Sequence, residues 1–502
     1  MKVELFDRGI TDGDATCDNN YTTDFMRESF GEYANADIEF VLVPNGSRDD
    51  KLNVLMASKS APDVCCTYDR NVLFQYATQG GLTPLDQYYK DAPLLQAKLG
   101  DAIDYAKCEG EIVAIPGLKS FRGQYSTVIR QDWLDACGLE APTTTEEWYN
   151  TLKVFKEKDP GNLGELNYPF VIRTDHKEIQ DIIWSFVDPD LTEEEDFTLP
   201  WLLLPGWKDG MQFLNQLYNE GLINPEFALD QNNTMYKQAI TTGAWGSARG
   251  LTSRFFAGGE GFDTYKNIPE TRVTVIDPFV NEAGEVKKSG NPVYSLFNFV
   301  PSFSEVPDLA MQYFEWMAQP EVATRLIDGI EGIHWKYDEN GYRVPLSDAE
   351  QPEEWRGRQT WHQKDWYLLD AHPDITLDPE NALAEQYELR AISTYVAFSD
   401  EFPDNPELVE YETEQSVISM ESSIKDMFVD NRLYPSYDKV LDSVSKYQVN
   451  LDKIYADGYV KIITAAPDEF EAVYQQIVDQ YLQSGGQAII DEKTAYYQEL
   501  HS

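Results

Sequence analysis

Residues 38–66 have the sequence IEFVLVPNGSRDDKLNVLMASKSAPDVCC, and this stretch decides the fold class. Residues 38–43 are rich in branched and aromatic side chains, which is typical of a strand. Residues 51–57 then have helical spacing, and a short apolar run over 62–66 forms a further strand after a proline. Because strand, helix and strand alternate, the stretch predicts a parallel βαβ unit of an α/β domain.

The residues before this stretch continue the same alternation towards the amino terminus. Residues 2–6 (KVELF) are predicted to form a strand, and residues 22–33 a helix. Ligands of parallel sheets bind beyond the carboxyl ends of the strands, so a binding site is expected at that edge. Alternation along residues 62–66 sends Cys65 and Cys66 to opposite faces, which favours two buried apolar residues over a redox pair.

Helical patterns recur along the rest of the chain. Thr144 and Glu147 form a capping-box pattern, and apolar residues follow at i, i+4 and i+7 from Trp148. Three further apolar stripes lie at residues 211–218, 309–317 and 470–481. We interpret all of them as core-facing rather than as cofactor-binding. The sequence has no internal repeat and no long linker, so a chain of two domains is expected to cross between them more than once.

Length and charge limit the possible classes of protein. The chain has 502 residues, which predicts two or three domains. Its 40 basic and 87 acidic residues give a net charge of −47, which disfavours nucleic acid and anionic membranes as partners. A neutral or cationic small ligand fits this charge, as does the alternative that the acidity only keeps the surface soluble. No apolar run predicts a membrane helix, and five cysteines without a C-x-x-C pair predict no disulfide framework.

Motifs of familiar enzymes and metal sites are absent from the sequence. The five histidines form neither H-x-x-x-H nor H-E-x-x-H, and no nucleophile elbow, phosphate-binding loop or dinucleotide-binding turn occurs. The acidic stretches at residues 12–18 and 159–165 lack EF-hand spacing, and we interpret them as Asx-rich turns rather than calcium sites. The sequence therefore predicts no metal and no cofactor. Carboxylates are too numerous to identify a glycosidase pair.

Several segments, taken in order and spacing, resemble one protein family. Residues 52–64 (LNVLMASKSAPDV), 80–86 (GGLTPLD) and 110–116 (GEIVAIP) carry short matches, and residues 128–148 (VIRQDWLDACGLEAPTTTEEW) carry the most specific one. Together they resemble the family 1 extracellular solute-binding proteins, the sugar receptors of ABC importers. Residues 468–474 resemble the C-terminal helix of the large oligosaccharide-binding members from Gram-positive bacteria.

The resemblance implies an α/β fold of the periplasmic-binding-protein-like type II class, with two lobes that each contain a sheet flanked by helices. One lobe is expected to hold residues 1–118 and 296–332, and the other residues 119–295 and 333–502. Hinge crossings are expected near residues 117–123, 292–297 and 329–335. The resemblance also implies a monomer that binds an oligosaccharide between its lobes without catalysis and delivers it to the permease subunits of an ABC transporter.

The resemblance further implies an extracellular protein, tethered to the cell membrane by a lipid on an N-terminal cysteine. The sequence contains no lipobox, so we interpret Met1 as the start of a chain whose leader has been removed. The sugar is left open among xylo-, manno-, arabinoxylo-, galacto- and host-glycan oligosaccharides. A glycoside hydrolase or other carbohydrate-active enzyme, and a structural or protein-interaction module, remain as alternatives.

Sugars present flat C–H faces and a fringe of hydroxyl groups, so aromatic platforms and bidentate polar side chains are the expected contacts. Carried over from the resemblance, the implied ligand-binding residues are Tyr68, Asp69, Phe121, Arg122, Trp184, Trp245, Arg249, Phe297, Asn298, His334 and Trp335. Trp245 is the sharpest of these predictions, because small residues on both sides would let a ligand reach its ring. The alternative is that Trp245 packs in the core and that the platform is Trp335 or Trp184.

Overall fold

The computed structural model describes most of the chain. The described residues are 1–7, 9, 11, 14–119, 125–173, 179–230, 233–251, 255–256, 260–337, 343–346, 350–355, 368–369, 394–395, 397–425, 427–430, 432, 435 and 437–502. The chain divides into two compact units. The first unit is Met1–Phe121, Pro292–Leu389 and Ser436–Val440, and the second is Arg122–Asn291, Arg390–Pro435 and Leu441–Ser502.

The described elements mix strands and helices along the whole chain. The strands are β1 (Lys2–Asp7), β2 (Glu39–Pro44), β3 (Cys65–Thr67), β4 (Lys107–Cys108), β5 (Glu111–Ile112), β6 (Ile115–Leu118), β7 (Tyr125–Arg130), β8 (Phe170–Val171), β9 (Ser247–Leu251), β10 (Val273–Val275), β11 (Lys288–Gly290), β12 (Tyr294–Phe299), β13 (Trp335–Tyr337), β14 (Arg343–Pro345) and β15 (Met427–Val429).

The helices lie between these strands and at the carboxyl terminus. They are α1 (Tyr21–Ala34), α2 (Arg48–Ala57), α3 (Arg70–Thr78), α4 (Asp86–Tyr89), α5 (Pro93–Leu99), α6 (Gln131–Cys137), α7 (Thr145–Lys158), α8 (Gln180–Trp184), α9 (Glu193–Thr198), α10 (Trp207–Asn219), α11 (Thr234–Thr242), α12 (Glu260–Asn267), α13 (Pro307–Met317), α14 (Pro320–Ile327), α15 (Pro406–Lys425), α16 (Asp442–Thr464), α17 (Phe470–Tyr481) and α18 (Gln487–Leu500). Of the helices described, none combines the length and the apolar character needed to span a membrane.

The first unit is built around the βαβ pattern predicted for its first 66 residues. β1 and β2 pair in parallel, with α1 as their connection. A parallel bridge between Val3 and Val64 joins β1 to the chain entering β3. β12 lies antiparallel between β3 and β6. The strand order is therefore β2-β1-β3-β12-β6, and the predicted α/β unit is confirmed.

The two faces of this sheet pack into separate hydrophobic clusters. Cys65 is buried with Leu73 and Phe299 in one cluster. Cys66 is buried with Val3 and Phe314 in the other. Both thiols are free, and their burial on opposite faces confirms the interpretation of the pair as core residues.

The second unit contains a sheet of order β10-β7-β9-β8. The predicted capping box begins α7: the backbone N–H of Glu147 donates to the Thr144 hydroxyl at 3.1 Å, and the Glu147 carboxylate accepts from the backbone N–H of Thr144 at 3.3 Å. Trp148, Leu152 and Phe155 follow on one buried face, as their spacing predicts. The three other predicted stripes lie in α10, α13 and α17.

The outer edge of β10 is covered by α15 rather than by another strand. Glu412 accepts the backbone N–H of Val273 at 2.9 Å, and Gln415 accepts that of Val275 at 3.0 Å. Both accepting side chains are buried. Backbone donors that a further strand would have used are thus satisfied by helix side chains.

The division into units can be set beside the expected hinge crossings. The chain passes between units after Phe121 and after Asn291, within or beside the expected ranges 117–123 and 292–297. Further boundaries follow Leu389, Pro435 and Val440, and residues 333–389 belong to the first unit. Near the expected range 329–335 the chain turns into the antiparallel pair β13–β14. The lobe bounds and the three hinge crossings stay a prediction.

Candidate functional site

Backbone pairing between β1 and the chain entering β3 stops after two hydrogen bonds, and we call the region at their carboxyl ends, formed by Glu4, Asp49, Thr67, Tyr68 and Asp69, the crevice. The backbone N–H of Glu4 donates to Val64 at 2.9 Å, and that of Val64 donates to Lys2 at 3.1 Å. The next donor, the N–H of Cys66, goes instead to the Glu4 side chain, at 2.9 Å from Oε2. The helix after β1 leads to β2 on one side, whereas β3 lies on the other. This is a topological switch point, where open α/β sheets bind their ligands.

Glu4 forms the buried base of this crevice. Its residue surface is only 2% exposed. Burial raises the pKa of its carboxyl to about 7, an increase that the hydrogen bond from Cys66 partly offsets. The nearby Asp49 raises the pKa further, and Arg48 lowers it. Within the described part of the chain, Oε1 of Glu4 has no hydrogen-bond partner, so the crevice contains an unused acceptor.

Tyr68 supplies an aromatic surface at the mouth of the crevice. It directly follows β3 and is 37% exposed, which makes it accessible to a ligand. Its ring stacks on Phe6 with a centroid separation of 6.0 Å. The Arg48 guanidinium lies 4.8 Å from the Tyr68 ring centroid and 5.7 Å from that of Phe6. Tyr68 therefore presents an exposed ring that Phe6 and Arg48 support.

Asp69 is held beside Tyr68 by a chain of hydrogen bonds. Its backbone N–H donates to the Thr67 hydroxyl at 3.1 Å, and that hydroxyl lies 3.4 Å from the Asp49 carboxylate. The Asp69 carboxylate caps α3 by accepting the backbone N–H of Asn71 at 2.8 Å. Asp69 is exposed, so the carboxylate keeps further lone pairs for a ligand.

A second aromatic group lies in the first unit around His334. This residue is 3% exposed, and its Nδ1 accepts the backbone N–H of Ile330 at 2.9 Å. The imidazole stacks on Tyr21 at 5.6 Å and meets the edge of Trp355 at 5.2 Å. Arg325 lies over the Tyr21 ring at 4.6 Å. The predicted contact His334 is buried behind these half-buried rings, and the sequence contained no pattern that singled out Tyr21 or Trp355.

Three other predicted contacts of the first unit lie in its interior. Phe297 and Asn298 are fully buried on β12, and Asn298 donates to the carbonyls of Ile115 and Leu368, each at 2.9 Å. Trp335 is 6% exposed and donates to the carbonyl of Gly329 at 3.4 Å. Strand pairing and local turns enclose these side chains, and their predicted ligand contacts stay predictions.

Trp245 is also buried, with 0% of its surface exposed. Its small neighbours admit other parts of the core rather than a ligand. A Cβ atom at Gly246 would lie 2.6 Å from Phe155, and one at Gly243 would lie 2.2 Å from Ile268. Arg130 covers the Trp245 ring at 5.8 Å. The structure thus encloses the indole, in agreement with the sequence alternative of a core tryptophan, and its role as a sugar platform stays a prediction.

Trp184 is enclosed as well. It is 1% exposed and packs edge-on against Trp207 at 5.5 Å and against Phe428 at 4.6 Å. The guanidinium of Arg432 lies 5.1 Å from its ring centroid. These neighbours place the ring in the second unit's interior, and its role as a platform stays a prediction.

Arg249, another predicted contact, belongs to a buried ion cluster in the second unit. It is 1% exposed and pairs with Asp181 and, at 3.1 Å, with Asp277. It also donates to the Thr127 hydroxyl on the neighbouring strand at 2.8 Å. Lys288 pairs with Asp277 at 2.8 Å. Two cations and two carboxylates thus balance each other inside the protein, and the predicted ligand contact at Arg249 stays a prediction.

The two remaining predicted contacts, Phe121 and Arg122, lie outside the described residues. So does Asp12 of the first acidic stretch. In the second stretch, the Asp159 carboxylate accepts the backbone N–H groups of Leu163 and Gly164, both at 2.8 Å, as an Asx-rich turn does. Among the residues that the structure describes, no group of three or more His, Cys, Asp or Glu side chains is arranged to hold a metal ion.

Comparison with known proteins gives a family match and several relatives. A family model described as bacterial extracellular solute-binding protein matches residues 19–324. The chain is 30% identical over 206 residues to lipoprotein LipO of Bacillus subtilis (strain 168), covering 39% of this chain and 41% of LipO. It is 22% identical over 319 residues to the polygalacturonan/rhamnogalacturonan-binding protein YtcQ of the same organism, covering 61% and 62%. The matches thus span less than two thirds of either relative.

A solved structure with the same fold extends over the whole chain. It is the Streptococcus pneumoniae ABC-transporter substrate binding protein FusA in complex with kestose, with a TM-score of 0.64. The match covers 100% of this chain and 99% of that chain at 16% sequence identity. At this identity the likeness supports the α/β fold expected from the sequence.

Proposed function

The chain belongs to the bacterial extracellular solute-binding protein family, and we propose that it captures an oligosaccharide outside the cell for uptake by an ABC importer. The observation that carries the proposal is the crevice between β1 and β3, where an exposed tyrosine lies beside carboxylates. The exposed part of Tyr68 suits the flat C–H face of a sugar ring. The carboxylates of Asp49 and Asp69 suit the hydroxyl groups at the ring edge.

Two features of the proposal come from the family alone. Its members are extracellular, and tethering of this chain by an N-terminal lipid would keep a captured ligand at the membrane. Delivery would then require contact with the permease subunits of the transporter. The net charge of −47 agrees with a ligand other than nucleic acid.

A ligand panel tests this function directly. The protein is heated with xylo-, manno-, galacto-, fructo- and host-glycan oligosaccharides and with oligogalacturonides, and the melting temperature is recorded. A ligand at a hundredfold excess over its Kd should stabilise the folded state by about 2.7 kcal/mol. Calorimetric titration of the hits then gives the affinity and stoichiometry.

The same samples separate a binding protein from a glycoside hydrolase. After long incubation, chromatography should recover the oligosaccharide intact. Cleavage products would contradict a receptor and favour the enzyme alternative. Absence of a melting shift with every sugar class would contradict the proposed function itself.

A further inference from the structure

We propose that the crevice between β1 and β3 accepts an uncharged sugar unit and discriminates against a uronic acid at that position. The inference rests on the proposed function and names its ligand class. The relatives' names leave this open, since YtcQ is named for polygalacturonan, a polyuronide, whereas FusA was solved with the neutral sugar kestose.

The carboxylates at the mouth of the crevice outnumber its one guanidinium. Asp49 and Asp69 are joined through the Thr67 hydroxyl, and Arg48 lies beside Asp49. Glu4 at the base adds a further negative charge only above its raised pKa of about 7. Recognition of a carboxylate normally uses an arginine fork with free donors. A carboxylate brought to this place would instead meet like charges at short range, where little water screens them.

The arginine at this place is already engaged. Arg48 lies 3.9 Å from the Asp49 carboxylate, and its guanidinium covers the rings of Phe6 and Tyr68. The other arginine nearby, Arg70, points its guanidinium into the unit, donating to the carbonyls of Tyr105 and Tyr437 at 2.8 and 2.6 Å. The Arg70 fork is therefore occupied by backbone carbonyls, and the Arg48 guanidinium is held over two rings beside a carboxylate.

Helix amino termini, which attract anions elsewhere, are occupied here by the protein's own carboxylates. Asp69 caps α3 by accepting the backbone N–H of Asn71. Asp49 and Asp50 lie in the first turn of α2. The positive ends of both helices are therefore already neutralised, and a ligand carboxylate gains little from them.

The unused Oε1 of Glu4 is an independent indication of what the crevice takes. It is buried, and the described residues provide no partner to it. Because the pKa of Glu4 is about 7, this oxygen is an acceptor above that pH, and the protonated carboxyl is a donor below it. A sugar hydroxyl or an ordered water can pair with either form, whereas a ligand carboxylate can pair only with the protonated one. A neutral, hydroxyl-rich ligand thus completes the hydrogen bonding that the fold leaves open.

The experiment compares each sugar with its acidic counterpart. The protein is titrated calorimetrically with a neutral oligosaccharide and with the uronic form of the same linkage, including trigalacturonic acid against its fully methyl-esterified form. The neutral member of a pair should bind at least about tenfold more tightly at low salt. This difference in affinity should decrease as the salt concentration rises, because the screening length falls to about 3 Å at 1 M salt.

Two charge-neutralising variants test whether the preference for the neutral oligosaccharide arises at this crevice. Asp49→Asn and Asp69→Asn keep the side-chain shape, and asparagine still caps a helix. Each variant should reduce the ratio between the affinities for the neutral and the uronic oligosaccharide by about threefold to tenfold. Asp308→Asn, in the first turn of α13, is the matched control and should leave the difference unchanged.

The outcomes are distinguishable. Equal or tighter binding of the uronic form, or a preference that survives both variants and high salt, would overturn the inference while leaving a sugar receptor in place. Failure of every sugar to bind would remove the proposed function, and the inference with it.

Discussion

The crevice of the first unit can be compared with the region around β9 in the second, which consists of Trp245, Arg249, Asp181 and Asp277. The two regions contain the same kinds of side chain in different settings. Each has an aromatic ring, an arginine and several carboxylates. Tyr68 is 37% exposed and the Arg48 side chain 30% exposed, whereas Trp245 and Arg249 are 0% and 1% exposed. The first region presents these groups at the surface, and the second encloses them.

The difference shows that residue type alone does not identify a binding surface; the exposure of the side chains does. Arg249 donates to Thr127 and pairs with two aspartates, so a ligand would have to replace interactions that already exist. Unsatisfied polar atoms do not separate the two regions, because Glu4 Oε1 in the first and Trp245 Nε1 in the second both have no hydrogen-bond partner among the described residues. What separates them is that Tyr68 and Arg48 are accessible to a ligand, whereas Trp245 and Arg249 are not.

The largest effect expected from this comparison is on stability, at Trp245. Trp245→Ala should lower the free energy of unfolding by about 3–5 kcal/mol, because a large cavity replaces a buried indole. The folded fraction should bind sugar with unchanged affinity. Equilibrium denaturation and calorimetry measure the two quantities. Trp355→Ala, at a half-buried ring of the first unit, is the control and should cost less stability.

An intact fold with weakened sugar binding in Trp245→Ala would reverse the comparison. It would place the indole at the ligand rather than in the interior. The exposed platform first expected from the sequence would then be restored.

The second effect concerns pH and the buried carboxyls of the two units. Burial raises the pKa of Glu412 from 4.5 to about 8 and that of Glu4 to about 7. Between pH 4.5 and these values, the folded state holds a proton that the unfolded state has lost. Stability contributed by each group is therefore full below about pH 4.5 and decreases as pH rises through the folded pKa.

Substitution of the two carboxyls separates their contributions. Each glutamate should make the free energy of unfolding fall by up to about 1.4 kcal/mol per pH unit as the pH rises. This decrease should end near pH 7 for Glu4 and near pH 8 for Glu412. Glu4→Gln and Glu412→Gln should each remove their part of the slope. Denaturation at a series of pH values measures this, with Glu414→Gln, at an exposed position of the same helix, as the control. Unchanged slopes in both variants would contradict ionisation on unfolding.

The smallest effect on folding, and the clearest on binding, is expected at Tyr68. Tyr68→Ala should change the free energy of unfolding by less than about 1 kcal/mol, since the ring is partly exposed. It should weaken sugar binding by about 1–3 kcal/mol, if stacking of bases on aromatic rings is a fair guide. Calorimetric titration measures the loss. Tyr33→Ala is the matched control, because Tyr33 is 43% exposed and lies at the carboxyl end of α1.

Retention of full affinity by Tyr68→Ala would move the sugar away from the crevice. The rings of Tyr21 and Trp355 would then be the next surface to test in the first unit. A large loss of stability would instead assign Tyr68 to the core.

The parts of the fold that follow from local patterns could be predicted from the sequence. Alternation placed Cys65 and Cys66 on opposite faces, and the spacing of Thr144 and Glu147 gave the start of α7. These features depend on residues close together in the chain. The strand–helix alternation of the first 66 residues is of the same kind.

Burial by distant residues could not be predicted in this way. The small residues beside Trp245 were interpreted as open space, but they accommodate Phe155 and Ile268, which lie far away in the sequence. Glu4 left a signal, an acid inside an apolar strand, yet its pairing with Cys66 depends on how two strands diverge. Only Tyr68 and Asp69, at a strand end, could be placed from the sequence as exposed groups.

The covering of β10 by α15 also affects how molecules of this protein meet one another. A bare strand edge presents alternating donors and acceptors, on which a second chain can add a strand and start an aggregate. The side chains of Glu412 and Gln415 accept hydrogen bonds from two of those backbone donors. A side chain provides no row of backbone groups with which a further strand could pair. The sheet therefore ends at a surface that cannot template further growth, and a secreted chain carrying this helix is protected from edge-to-edge polymerisation on that side.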